Sequence, residues 1–125
     1  MDENSISYII RGAAFKVHTE LGPGLLESVY EKALYHELNE RGMKVKSQLG
    51  IPFDYNDIHF EVGFRLDLLV NDKVIVEIKS VETIHEVHLK QLLTYLKLLN
   101  LKLGLLINFN SYPLKDSIYR VVNGL

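Results

Sequence analysis

The feature that most constrains this chain is a change of hydrophobic period. Up to Leu38 the apolar residues recur at spacings of three and four; from Lys44 to Lys79 they alternate; and from Leu89 to Leu99 the helical spacing returns. A chain written this way must lay amphipathic helices against a sheet. Ile6, Ile9, Ile10, Ala13, Ala14, Val17 and Leu21 predict a first helix from about Ser5 to Glu20, stopped by Gly22-Pro23-Gly24. Leu26, Val29, Tyr30, Ala33, Leu34 and Leu38 predict a second, ending at Arg41-Gly42. The alternating stretch divides into three consecutive antiparallel strands: one through Ile51, Phe53 and Tyr55, one from Phe60 to Val70, and one from Val74 to Ile78. A third helix follows from about Ile84 to Asn100. The nearly continuous apolar run from Leu101 to Phe109 reads as a central strand, and Ser117 to Val122 as an edge strand. The expected order is α-α-β-β-β-α-β-β, an α/β arrangement around a mixed sheet without repeats or linkers.

The 125 residues fit one domain, residues 1–125, large enough to bury roughly two-thirds of the surface of its unfolded chain. Hydrophobic residues make up 47% and charged residues 24%, which excludes disordered and low-complexity classes. There is no cysteine, so thiolate metal sites, disulfides and a cysteine nucleophile are excluded, in keeping with an expected cytoplasmic location. Any bound metal must be held by oxygen or imidazole. Fourteen Lys and Arg against sixteen Asp and Glu leave a formal charge of −2, so a nucleic-acid surface would have to be local. The acidic start Met1-Asp2-Glu3-Asn4 lacks the basic head of a secretion signal, and the most apolar stretch is interrupted by Lys97, Asn100, Lys102 and Gly104. No membrane association is expected.

Acidic residues interrupt two otherwise apolar strands. Asp67 stands between Leu66 and Leu68, while Glu77 and Lys79 flank Ile78 and therefore share a face. A two-residue turn at Asn71-Asp72 would mismatch the faces. A three-residue loop, Asn71-Asp72-Lys73, pairs Val70 with Val74, Leu68 with Val76 and Asp67 with Glu77. Two carboxylates would then stand roughly 5 Å apart at Cβ, a repulsive arrangement unless a positive charge lies between them. Carboxylate oxygens suit Mg²⁺ or Mn²⁺, and such a cation polarises a phosphodiester. Lys79, on the same face, would meet the developing negative charge. The plainer alternative is a solvated ion-pair ladder, against which the neighbouring Leu69 and Ile75 mark this face as partly buried.

The set Asp67, Glu77-Ile78-Lys79, within the order α-β-β-β-α-β, resembles the PD-(D/E)XK nuclease superfamily. Gly24-Leu25-Leu26-Glu27-Ser28-Val29-Tyr30 resembles the signature of its GxxExxY branch. The likeness runs from about Ile9 to Val122 and includes Phe64 to Val70, Val76 to Lys79, and Gln91 with Tyr95. It implies a restriction-endonuclease-like core with a mixed sheet flanked by helices. It further implies that Asp67 and Glu77 hold metal, Lys79 is the catalytic lysine, Glu27 is a helix carboxylate at the site, and Gln91 is an auxiliary polar residue. Leu66 stands where the superfamily name has proline. Glu27 also has a bland explanation, since an acid in the first turn of a helix is favoured by the helix dipole.

Other constellations are poorer. His85 and His88 lie at i, i+3, without the spacing of a zinc-protease motif or an evident third ligand. Serine-hydrolase and nucleotide-binding glycine motifs are missing. The sequence thus leads to a metal-dependent nuclease-like protein acting on phosphodiester bonds, with DNA as the expected substrate. The alternative is a catalytically inactive member of the same fold that binds nucleic acid or a protein. A nuclease this small, with no separate DNA-reading module, is expected to work as a homodimer or with a protein partner.

Overall fold

Asp2 begins the first helix by accepting the Ser5 amide on its Oδ1 at 2.8 Å, which satisfies one of the amides a helix start leaves open. From there the computed structural model, which describes residues 1–125, runs through α1 (Glu3–Leu21), α2 (Glu27–Glu40), β1 (Val45–Tyr55), β2 (Ile58–Val70), β3 (Val74–Lys79), α3 (Glu86–Leu99), β4 (Leu103–Asn108) and β5 (Ile118–Val122). One 3₁₀ turn, Leu114–Ser117, precedes β5. The order is the expected one. The strands form a single sheet in the sequence β1-β2-β3-β4-β5, with β3 and β4 parallel and all other neighbours antiparallel. A parallel pair needs a crossover, and α3 supplies it. Every residue of β4 is buried, as its nearly continuous apolar run requires, including Asn108 at its end. No helix is long and apolar enough to cross a membrane.

The sheet separates two cores. On one side α1 and α2 pack on Leu68, Val70, Val74, Val76, Ile78, Leu103, Leu105 and Ile107. On the other, Leu92 and Leu96 of α3 pack on Leu66, Leu69, Ile75 and Leu106. One expectation needs correction here. The even-numbered apolar residues of β2 do not form one face: Leu68 and Val70 belong to the first core, but Leu66 belongs to the second. β1 behaves in parallel, with Val45 against the first core and Leu49 and Ile51 against the second. Pairing between the two strands continues without a slip from Ser47↔Leu68 to Leu49↔Leu66, so both change sides together at the level of Gln48 and Asp67. Gln48 has φ 48°, in the left-handed region that side chains other than glycine seldom adopt. A regular strand keeps i and i+2 on one face; this residue ends that regularity.

Candidate functional site

The loop after β2 sets the register. Asn71 and Asp72 both take positive φ, the Lys73 amide donates to the Val70 carbonyl at 3.0 Å, and the strands pair as Val70↔Val74, Leu69↔Ile75 and Leu68↔Val76. Asp67 and Glu77 come next. There the ladder of main-chain bonds ends and the carboxylates take its place: Glu77 Oε2 accepts the Asp67 amide at 2.9 Å, and Asp67 Oδ2 accepts the Ile78 amide at 2.8 Å. The two acids are thus interlocked across parted strands. The parting follows from the change of sides at Asp67, which turns β2 away from β3.

Glu77 is only 8% exposed. Burial, and then the negative charge of Asp67, push its pKa up to about 8. Asp67 is also raised, again first by burial, against the opposing pull of the Ile78 amide and the Lys79 ammonium. Lys79 is half-buried at the end of β3, and its charge acts on both carboxylates without closing a salt bridge to either. Beyond it, buried Asn108 holds the connecting loop by accepting the Val81 amide at 3.1 Å and donating to the Val81 carbonyl at 2.9 Å.

Glu27 arrives from the other side. Gly22 and Gly24 turn the chain at φ 71° and 100°. Fully buried Tyr30 fixes that turn: its hydroxyl donates to the Gly22 carbonyl at 2.6 Å and accepts the Leu25 amide at 3.0 Å, and its ring stacks on Phe109 at 4.7 Å. Packing and positioning are therefore one job for Tyr30. Glu27 opens α2 and accepts the Ser80 amide at 3.2 Å, while Ser80 Oγ donates to the Leu25 carbonyl at 2.6 Å, which ties the helix start to the end of β3. Glu27 and Asp67 line a common cavity of about 420 Å³ with Ser28, Glu31, Lys32 and Gln48.

Glu31 and Gln48 were not foreseen. The Gln48 amide donates to Glu31 Oε1 at 2.7 Å and reaches Asp67 Oδ1 at 3.5 Å. Glu31 lies one turn after Glu27, a spacing that already puts both on one helix face. For Gln48 the only signal is the register that sets it opposite Asp67. Gln91 is exposed on α3. Tyr95, one turn further, stacks on Phe64 at 4.6 Å, and burial followed by the charges of Glu77 and Asp67 raises its pKa. The His85–His88 pair has a local task, since His88 Nδ1 accepts the His85 amide at 3.1 Å and so caps α3.

The donor chemistry fits a hard divalent cation. After their amides are taken, Asp67 Oδ1 and Glu77 Oε1 remain, both carboxylate oxygens, in a place where ionising both acids is unfavourable without a cation. No three His, Asp or Glu side chains converge into a ready-made cage, but Mg²⁺ typically needs only one or two carboxylates, with water completing its shell.

Against known proteins, the model of the PD-(D/E)XK nuclease superfamily matches residues 4–121. No curated protein and no solved structure matches.

Proposed function

Since the chain belongs to the PD-(D/E)XK nuclease superfamily, we propose that it hydrolyses phosphodiester bonds in DNA with the help of Mg²⁺ or Mn²⁺. Gly24, Glu27 and Tyr30, with the turn they build, support its placement in the GxxExxY branch. The observation that carries the reading is the interlocked pair of buried Glu77 and half-buried Asp67, carboxylates whose remaining oxygens have no cationic partner within the chain. Asp67 and Glu77 would hold the cation, with Glu27 across the same cavity as a further carboxylate. Bound there, the cation would polarise the phosphodiester and favour hydroxide at neutral pH. Lys79 stabilises negative charge as it gathers on the phosphate, and it is free of competing salt bridges for that task. Burial of Glu77 excludes water from one side and strengthens each of these interactions. Gln91, exposed on α3 one turn before Tyr95, would serve as an auxiliary polar residue toward the substrate strand.

The rival reading is a catalytically idle module of the same fold, and one observation favours it. The two acids already have structural work, because they take amides that the parted strands would otherwise leave open. The experiment is to incubate plasmid, linear and branched DNA with the purified protein, with and without Mn²⁺. Cleavage is expected only with metal, and Lys79→Ala should lower it by roughly 100-fold or more while the fold survives. Mn²⁺ should also raise the Tm of the wild type, and much less that of Asp67→Asn. Metal-dependent stabilisation without cleavage of any substrate form would establish the idle module.

A further inference from the structure

The cavity beside Asp67 does not end at the carboxylates. It continues along α2 into a second hollow of about 480 Å³, lined by Glu31, Lys32, Tyr35, Ser47 and Gln48, and the two share Glu31, Lys32 and Gln48. Together they make one groove between α2 and β1, running from the candidate metal site toward Tyr35. Both elements create it. α2 buries Tyr30, Leu34 and Leu38, so Ser28, Glu31, Lys32 and Tyr35, at i, i+3, i+4 and i+7, form a separate row on the helix face beside β1. Opposite, Ser47 follows Val45 at a spacing of two, and its short side chain leaves open the space that a larger residue would fill. At Gln48 the hairpin changes sides and runs out beyond the sheet as a two-stranded arm, with Leu49 and Ile51 turned toward α3 instead.

The chemistry changes along the groove. At one end stand Glu27 and Asp67, suited to a cation. At the other, Tyr35 presents a ring that is 37% exposed and stacks on no other aromatic side chain. Lys32 stands between them and closes no salt bridge, and the same is true of Lys79 and of Arg65, which reaches the Gln48 carbonyl at 3.4 Å. Glu31, the acid in the middle, accepts the side-chain amide of Gln48 at 2.7 Å. A metal end, unpaired cations along the way and an open aromatic face match a phosphate backbone with its bases. They match it in one form. A base inside a duplex gives both faces to its neighbours in the stack, so stacking on a side chain requires an unpaired nucleotide. From Ser28 to Tyr35 the helix rises roughly 10 Å at about 1.5 Å per residue, which keeps that nucleotide near the bond being cut. Resting on the nuclease reading above, we propose that the groove takes an unpaired stretch of the DNA strand next to the scissile phosphate, with a base stacked on Tyr35 and a flanking phosphate at Lys32. The preferred substrate is then DNA with an overhang, flap or gap rather than a blunt duplex.

The test is fluorescence anisotropy with a labelled single-stranded oligonucleotide and a blunt duplex of the same sequence. Ca²⁺, a hard cation that takes the same oxygen donors, replaces Mn²⁺ so that binding is read apart from cleavage. The wild type should bind the single strand more tightly than the duplex by roughly tenfold or more. Tyr35→Ala should weaken single-strand binding roughly tenfold, and Tyr35→Phe should restore it, because the ring does the stacking. Lys32→Ala should lower the slope of log Kd against log salt by about 0.7, the share of one phosphate on a single strand. Tyr8→Ala, which removes an exposed ring from α1, is the control that leaves binding unchanged. Equal affinity for the two forms, binding to neither, Tyr35→Ala behaving as the wild type, or Tyr35→Phe failing to restore binding would each overturn the proposal. Cleavage in Mn²⁺ separates it from the nuclease reading. Cutting of blunt duplex that is indifferent to Tyr35→Ala overturns the groove alone, whereas Tyr35-dependent binding without cutting of any form keeps the groove and makes the protein an idle binder.

Discussion

The two halves of the β1–β2 hairpin share one alternating pattern and end in opposite surroundings. In the root half Leu66, Leu68 and Val70 are fully buried between helices and sheet; in the distal half Ile58 and Phe60 face water. Nothing in the alternation separates them. The difference comes from what lies alongside, since β3 stops pairing at Leu68 and leaves the outer ribbon without neighbours. At the boundary the strands change sides, and there stand Gln48, Asp67 and, across the gap, Glu77. The candidate chemistry thus sits where the pairing of β2 with β3 gives way.

This contrast is sharpest in stability. Leu68→Ala removes buried methyl groups from the larger core and should cost about 2–5 kcal/mol. Phe60→Ala, in protein dilute enough to be monomeric, should stay within about 0.5 kcal/mol of the wild type, as surface changes do. Urea unfolding of both variants gives the comparison. Equal costs would mean that the arm is part of the cooperative core.

The boundary itself should announce its strain through pH. The folded-state pKa of Glu77 is about 8, against an ordinary value of 4.5, so the native state holds a proton that the unfolded chain has lost across that interval. Native protons in excess mean that stability falls as pH rises. The contribution is complete below about 4.5 and is lost as pH climbs through about 8. Asp67 is shifted in the same direction. Metal-free wild type should therefore lose stability from mildly acidic to mildly alkaline pH, by up to a few kcal/mol of unfolding free energy at ~1.4 kcal/mol per unit, and its Tm should decline with it. Glu77→Gln, which cannot ionise, should flatten most of that decline. An unchanged slope would show that Glu77 does not carry it.

Much of this arrangement was legible before any coordinates. Gly22-Pro23-Gly24 marked the break before α2, the helical spacings located α1, α2 and α3, and face-matching across Asn71-Asp72-Lys73 gave the register that brings Asp67 to Glu77. These signals are local, or depend on one short loop. The change of sides was not legible, because a period of two says which residues share a face only while the strand stays regular. Gln48 breaks that rule without being a glycine. The exposure of the arm was equally hidden, since apolar alternation looks the same whether or not a third strand covers it. Glu31 was open to discovery through its spacing from Glu27, whereas Gln48 joins the site only through long-range pairing.

The smallest expected effect tests that hidden residue. At φ 48° a side chain costs about 1 kcal/mol that glycine does not, so Gln48→Gly relieves backbone strain while deleting the amide that bridges Glu31 and Asp67. The bridge lies on an exposed residue, where a hydrogen bond contributes modestly. Stability should consequently change by no more than about 1 kcal/mol, toward a gain. Activity should move the other way. Asp67 Oδ1 would lose its neighbour, and if the metal sits on that oxygen, cleavage at limiting Mn²⁺ should fall roughly tenfold to a hundredfold and recover partly as Mn²⁺ is raised. Gln48→Asn provides the control, because asparagine tolerates the left-handed conformation but carries a shorter amide. It should match the wild type in stability and lie between wild type and glycine in activity. If glycine instead destabilises the protein and leaves cleavage intact, the strain at Gln48 serves the hairpin, and the boundary between the two halves is a matter of architecture alone.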